Sequence, residues 1–135
     1  MPGYSGTPLR KKLGLKPPMT LAVIGAPREY LDWLGPLPDG IRITKKAGET
    51  PAAVHIFATR RADLSKHLRT LRTELAPAGF VWVSWPKRSS GVATDITEDT
   101  IREVALPLGF VDIKVCAVSD VWSGLKLVIR RSERP

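Results

Sequence analysis

Residues 53–85 read AVHIFATRRADLSKHLRTLRTELAPAGFVWVSW, and the changes of period inside that stretch decide the fold. Ala53 to Ala58 is a short unbroken apolar run, the pattern of a strand covered on both faces. Leu64, Leu68, Leu71 and Leu75 then fall at i, i+4, i+7 and i+11, one apolar stripe along a helix. Lys66, Arg69 and Arg72 are expected on its water side. Pro77-Ala78-Gly79 ends the helix, and Phe80 to Trp85 is again a strand. Two buried strands around one amphipathic helix imply a parallel pair joined by a crossover.

The same grammar extends upstream. Met19 to Ile24, bounded by Pro18 and Gly25, is another buried strand. Before it, Thr7 is expected to cap a short helix that has Pro8 in its first turn and ends at Gly14. After it, Pro27 to Leu34 predicts a brief helix with Tyr30, Leu31 and Leu34 inward, and Ile41-Arg42-Ile43 a short outer strand. Downstream, Thr97 caps a helix with Glu98 and Asp99 at the positive end of its dipole. Ile101, Val104, Ala105 and Leu108 form its inner face, and Pro107 and Gly109 close it. Phe110 to Val118 and Leu125 to Arg130 are the last strands, and the residues between them are too few for a parallel crossover. The expected fold class is α/β: a Rossmann-like three-layer sandwich, mostly parallel, of about six strands with a C-terminal antiparallel hairpin. It is read as a single domain over residues 1–135, residues 1–18 being an arm and short helix.

Composition narrows the function classes. Apolar residues at 43% and charged residues at 25% suit a globular chain and exclude disorder. No apolar run approaches the roughly 20 residues of a membrane helix, so no membrane partner is expected. Lys11 and Lys12 are followed by no apolar core of a secretory signal, and the single cysteine, Cys116, fits a reducing cytoplasm. The formal charge of +8 is unevenly placed: residues 1–72 carry thirteen basic and five acidic side chains, whereas residues 73–135 balance.

The layout resembles the class I methyltransferase-like Rossmann fold. Leu15 to Gly25 is similar to the approach to that fold's first strand and glycine loop, and Leu75 to Ser84 to its central helix-to-strand passage. Tyr4-Ser5-Gly6-Thr7-Pro8-Leu9, Lys11-Lys12-Leu13-Gly14, Trp82-Val83-Ser84-Trp85-Pro86-Lys87 and Lys114-Val115-Cys116-Ala117-Val118 resemble the domain-of-unknown-function 3052 family of bacterial proteins, over nearly the whole chain. The resemblance implies a fold built around S-adenosylmethionine, but two defining positions depart from it. The loop Gly25-Ala26-Pro27-Arg28-Glu29 holds one glycine and a proline with no N–H, and the second strand ends in Thr44-Lys45-Lys46 where an acid should hold a ribose hydroxyl. A degenerate, non-catalytic methyltransferase-like domain is therefore expected, with no cofactor.

Other chemistries find no support. His55 and His67 have no metal-ligand spacing, and His55, between Val54 and Ile56, reads as a satisfied core histidine. Cys116, in an apolar run, reads as a buried inert thiol. What remains is the crevice beyond the carboxyl ends of the strands, where open sheets take ligands. Its candidate residues are Gly25, Ala26, Pro27, Lys45, Thr59, Arg60, Trp85, Pro86, Lys87 and Arg88, a mainly basic rim with one indole. Trp82 and Trp85 are expected on opposite faces, with Trp85 at the rim, and Trp122 packed on the sheet. The partner expected is an anionic small molecule bound by a regulatory module, in a monomer or a homodimer that covers the Ile41–Ile43 edge. The alternatives are an S-adenosylmethionine-dependent methyltransferase with an atypical loop and a non-specific nucleic-acid binder with steep salt dependence.

Overall fold

The structure is a computed structural model that describes residues 7–135; the Tyr4-Ser5-Gly6 motif lies outside the described residues. Six strands, β1 (Met19–Ile24), β2 (Ile41–Thr44), β3 (Ala53–Phe57), β4 (Phe80–Pro86), β5 (Phe110–Ala117) and β6 (Trp122–Ile129), form one sheet. Its order is β2-β1-β3-β4-β6-β5. The first four are parallel; β6 runs antiparallel between β4 and β5, as the short final connection requires. The α/β reading of a mostly parallel sheet with a closing hairpin is correct.

Helices α3 (Arg61–Glu74) and α4 (Glu98–Leu108) cover one face. Leu64, Leu68, Leu71 and Leu75 all point into that core, against Val54, Ile56, Val81 and Val83. Burying such a leucine stabilises by about 1.5–3 kcal/mol. Among the described residues, the opposite face carries the short helices α1 (Leu9–Lys12) and α2 (Tyr30–Leu34), which pack with Leu21, Val23, Phe57 and Trp82. Among the described residues one proline lies in a helix interior. Pro107 sits inside α4 rather than closing it, because so near the end only one i−4 bond is lost, and Gly109, at φ 101°, supplies the stop.

Other local expectations also change. Pro8, not Thr7, occupies the cap of α1, where its carbonyl accepts from the Lys11 and Lys12 amides and no side-chain cap forms. Residues 27–29 turn instead of coiling, so α2 starts at Tyr30, whose N–H donates to the Pro27 carbonyl. Leu31 is 59% exposed, and Trp33 packs inward in its place. Arg72 is half-buried, not turned to water, because its Nε–H donates to the Leu108 carbonyl at 2.8 Å. Thr97 caps α4 as expected, in a reciprocal box with Thr100. β2 forms the edge beside β1, and β5 the other edge, with a bulge between Asp112 and Lys114.

Candidate functional site

All four parallel strands end on one side of the sheet. The chain leaves β1 for β2 on one side and returns to β3 on the other, so the switch point lies between the ends of β1 and β3. Gly25 stands there with φ 72°, and a Cβ on it would lie 2.9 Å from the Phe57 carbonyl oxygen. Its freedom from a side chain thus serves close approach to the protein's own backbone at the end of β3.

The ten rim residues fall into three clefts. Gly25, Ala26, Pro27 and Lys45 line the first, of about 420 Å³, with Val23, Arg28, Tyr30, Leu31, Ile43 and Thr44. Thr59 and Arg60 line a second, of about 320 Å³, with Ala93, Thr94 and Asp95. Trp85, Pro86, Lys87 and Arg88 line a third, of about 590 Å³, together with Glu98 and the loop from Gly91 to Thr97. The loop before α4 separates them: Thr94 Oγ1 and the Asp95 amide both donate to the Thr59 carbonyl, at 2.6 and 3.3 Å. Asp95 also accepts from the Arg61 amide at 2.6 Å, so the start of α3 already holds a carboxylate of this chain.

Trp85 is not a free rim indole. It is 7% exposed and belongs to the core with Ile96 under α4, because the loop after β4 folds over it. Trp82 lies on the other face, as the strand period requires, and its Nε1–H donates to the Leu13 carbonyl at 2.9 Å. Trp122 opens β6 rather than preceding it and meets Phe57 edge-on, with ring centroids 5.1 Å apart. Cys116 is half-buried rather than enclosed, on the edge strand; burial pushes its thiol up, against the opposing pull of Lys12 and Lys114.

Beneath the first cleft lies a polar chain that sequence reasoning assembled only in part. His55 is fully buried, with Nδ1 at 2.7 Å from the Tyr30 hydroxyl and Nε2 at 2.7 Å from the Ser84 hydroxyl. Its ring stacks on Phe57 at 4.4 Å, with Tyr30 edge-on to both. Desolvation lowers the imidazole to about 3 and raises the Tyr30 phenol, so both are neutral at physiological pH. His55 is a satisfied core histidine, as its sequence context indicates. A buried imidazole needs partners for both nitrogens, and that requirement was the available signal for Tyr30 and Ser84.

A family model described as "Protein of unknown function (DUF3052)" matches residues 47–131. The chain belongs to the DUF3052 family. The match takes in β3 to β6 with the Trp82–Lys87 and Lys114–Val118 motifs, and starts after β2, short of the near-complete span expected from the sequence. Comparison with curated proteins returned no match. Among solved structures, this DUF3052 chain resembles a SAM dependent methyltransferase from Aquifex aeolicus at a TM-score of 0.63 and 13% identity, covering 90% of this chain and 87% of that one. It also resembles the ribosomal protein L11 methylase from Lactobacillus delbrueckii subsp. bulgaricus at 0.56 and 13%, covering 91% and 76%. At these identities the likeness establishes the fold, a methyltransferase-like Rossmann sheet. That fold implies S-adenosylmethionine, and the first cleft does not fit it. No Asp or Glu lines the cleft to receive ribose hydroxyls, Lys45 stands at the end of β2, and the one glycine is packed against Phe57. Among the described residues no helix is long and apolar enough to cross a membrane, and no cluster of metal-binding side chains occurs.

Proposed function

We propose that this chain is a non-catalytic, methyltransferase-like binding module whose ligand is anionic and sits in the cleft at the ends of β1 and β2. One observation carries the reading: the cleft combines an apolar lining (Val23, Leu31, Ile43) with Arg28 and Lys45, and has no carboxylate among its lining residues. Arg and Lys over an apolar wall attract an organic anion, because the wall lowers the local dielectric and strengthens the charge interaction. A nucleotide-like ligand, with a flat apolar body and phosphoryl oxygens, has both halves of that chemistry. Retention of the fold without the acid after β2 supports binding in place of methyl transfer.

The test is thermal melting with ADP and, separately, S-adenosylmethionine, at fixed ionic strength. ADP at about ten times its dissociation constant is expected to stabilise by about 1.4 kcal/mol. Arg28→Ala with Lys45→Ala should abolish that gain. Micromolar binding of S-adenosylmethionine with none of ADP would overturn the reading in favour of a methyltransferase. A labelled duplex bound tightly at about 50 mM salt and lost by about 300 mM, with no ADP effect, would instead favour the nucleic-acid reading.

A further inference from the structure

A second basic site lies away from the strand ends, on the face beneath α1. The antiparallel register of β5 and β6 places Lys114 directly opposite Lys126. Like charges so paired destabilise a ladder, and folded proteins normally set an acid beside them. None is there: among the described residues Lys12, Lys114 and Lys126 enter no ion pair. The acid of β5, Asp112, is held at 3.2 Å by Arg102 of α4, which packs on the other face. Residues 1–6, MPGYSG, contain no acid either.

Lys12 and Lys126 are held by their surroundings, and Lys114 stands exposed opposite Lys126. Lys126 is half-buried, its Nζ 4.4 Å from the centre of the Phe80 ring and 6.0 Å from that of Trp82. The Trp82–Leu13 hydrogen bond holds the end of α1 above it, where a Cβ on Gly14 would come within 3.5 Å of the same Nζ. Lys12 reaches across from α1 and its Nζ donates to the Ala117 carbonyl at 3.3 Å. Lys114 links the three: with Lys12 it acts on the Cys116 thiol, and it acts in turn on the Lys126 ammonium it faces. Desolvation, and then Lys114, lower the Lys126 ammonium below its ordinary range, as expected of a cation without a counter-charge.

We propose that Lys12, Lys114 and Lys126 form a site for a multiply charged phosphoryl anion. A single carboxylate would neutralise one of the three charges and leave the opposed lysines repelling. A diphosphate carries enough charge for all three, and compact, strongly hydrated ammonium groups suit its oxygens. The aromatic floor of Phe80 and Trp82 limits solvent screening on one side.

Calorimetry with inorganic pyrophosphate tests this, against sodium chloride at matched ionic strength. Wild type is expected to bind pyrophosphate; Lys114→Ala and Lys126→Met should each weaken it by about tenfold, and Arg28→Ala with Lys45→Ala should not. Lys114 is exposed, so its variant keeps the fold even if Lys126→Met does not. Melting stabilised as much by chloride as by pyrophosphate would overturn the site, as would pyrophosphate binding unchanged in Lys114→Ala. Loss of binding only in the Arg28 and Lys45 variant would also overturn it and assign the anion to the strand-end cleft. ADP that competes with bound pyrophosphate in that cleft variant supports the site and makes a nucleotide's phosphate chain its source; failure to compete supports it with free polyanion as the source.

Discussion

The two faces of this sheet are built by different means. Under α3 and α4, helices of 14 and 11 residues lay leucine, isoleucine and valine on mainly aliphatic strand residues, with Trp85 and Phe110 among them, and the core forms chiefly through buried area. Under α1 and α2, of 4 and 5 residues, there is too little helix to supply that area. Large rings replace it: Tyr30, His55, Phe57, Trp82 and Trp122. Rings bring buried polar atoms, so that face must also close a hydrogen-bond chain, and among the described residues no buried side-chain polar atom lacks a partner. A thin layer is therefore held by connectivity where a thick one is held by volume, and the first cleft and the unpaired lysines adjoin the thin layer.

The sharpest way to break this comparison is truncation on each face. Trp82→Ala should destabilise by about 3–5 kcal/mol and also release α1, because the bond to the Leu13 carbonyl goes with the ring. Leu68→Ala should lose about 2–5 kcal/mol but leave α1 docked. Hydrogen exchange over residues 9–15 separates the two: faster exchange than global stability explains is expected only for Trp82→Ala.

A pH series gives a smaller effect. The folded protein holds His55 neutral down to about pH 3, whereas the unfolded chain takes up its proton near 6.5. Its contribution is therefore complete above pH 6.5 and falls as the pH drops toward 3, with a slope of at most about 1.4 kcal/mol per unit. Denaturant unfolding of His55→Gln between pH 4 and about 6 should show a shallower slope than wild type. Equal slopes would mean that the polar chain is not closed to protons. The smallest effect is on the other face: Thr97→Ala, which opens the box with Thr100, should remove about 1 kcal/mol independently of pH over that range.

Much of this architecture was legible in the chain. The leucine spacing from Leu64 to Leu75, the apolar runs at Met19, Ala53 and Phe80, and Thr97 before two acids each state their element locally. Helix ends were read less well: the stop at Gly109 is legible, but the inclusion of Pro107 within α4 and the start of α2 at Tyr30 rather than Pro27 depend on which carbonyls find donors. The candidate site was legible as a set of strand ends but not as a grouping. Nothing near Thr59 or Arg60 in sequence announces that Thr94 and Asp95 will close over them.

By itself, then, the sequence determined the α/β class, the parallel core and the absence of the acid expected after the second strand. These follow from period, punctuation and residue type, which are local. Tertiary structure alone decided that Trp85 is core and not rim, that His55 is held between Tyr30 and Ser84, and that Lys114 faces Lys126. The charge of +8 illustrates the division. Its sum is read from composition, but its consequence depends on strand register and loop closure, which pair residues far apart in the chain.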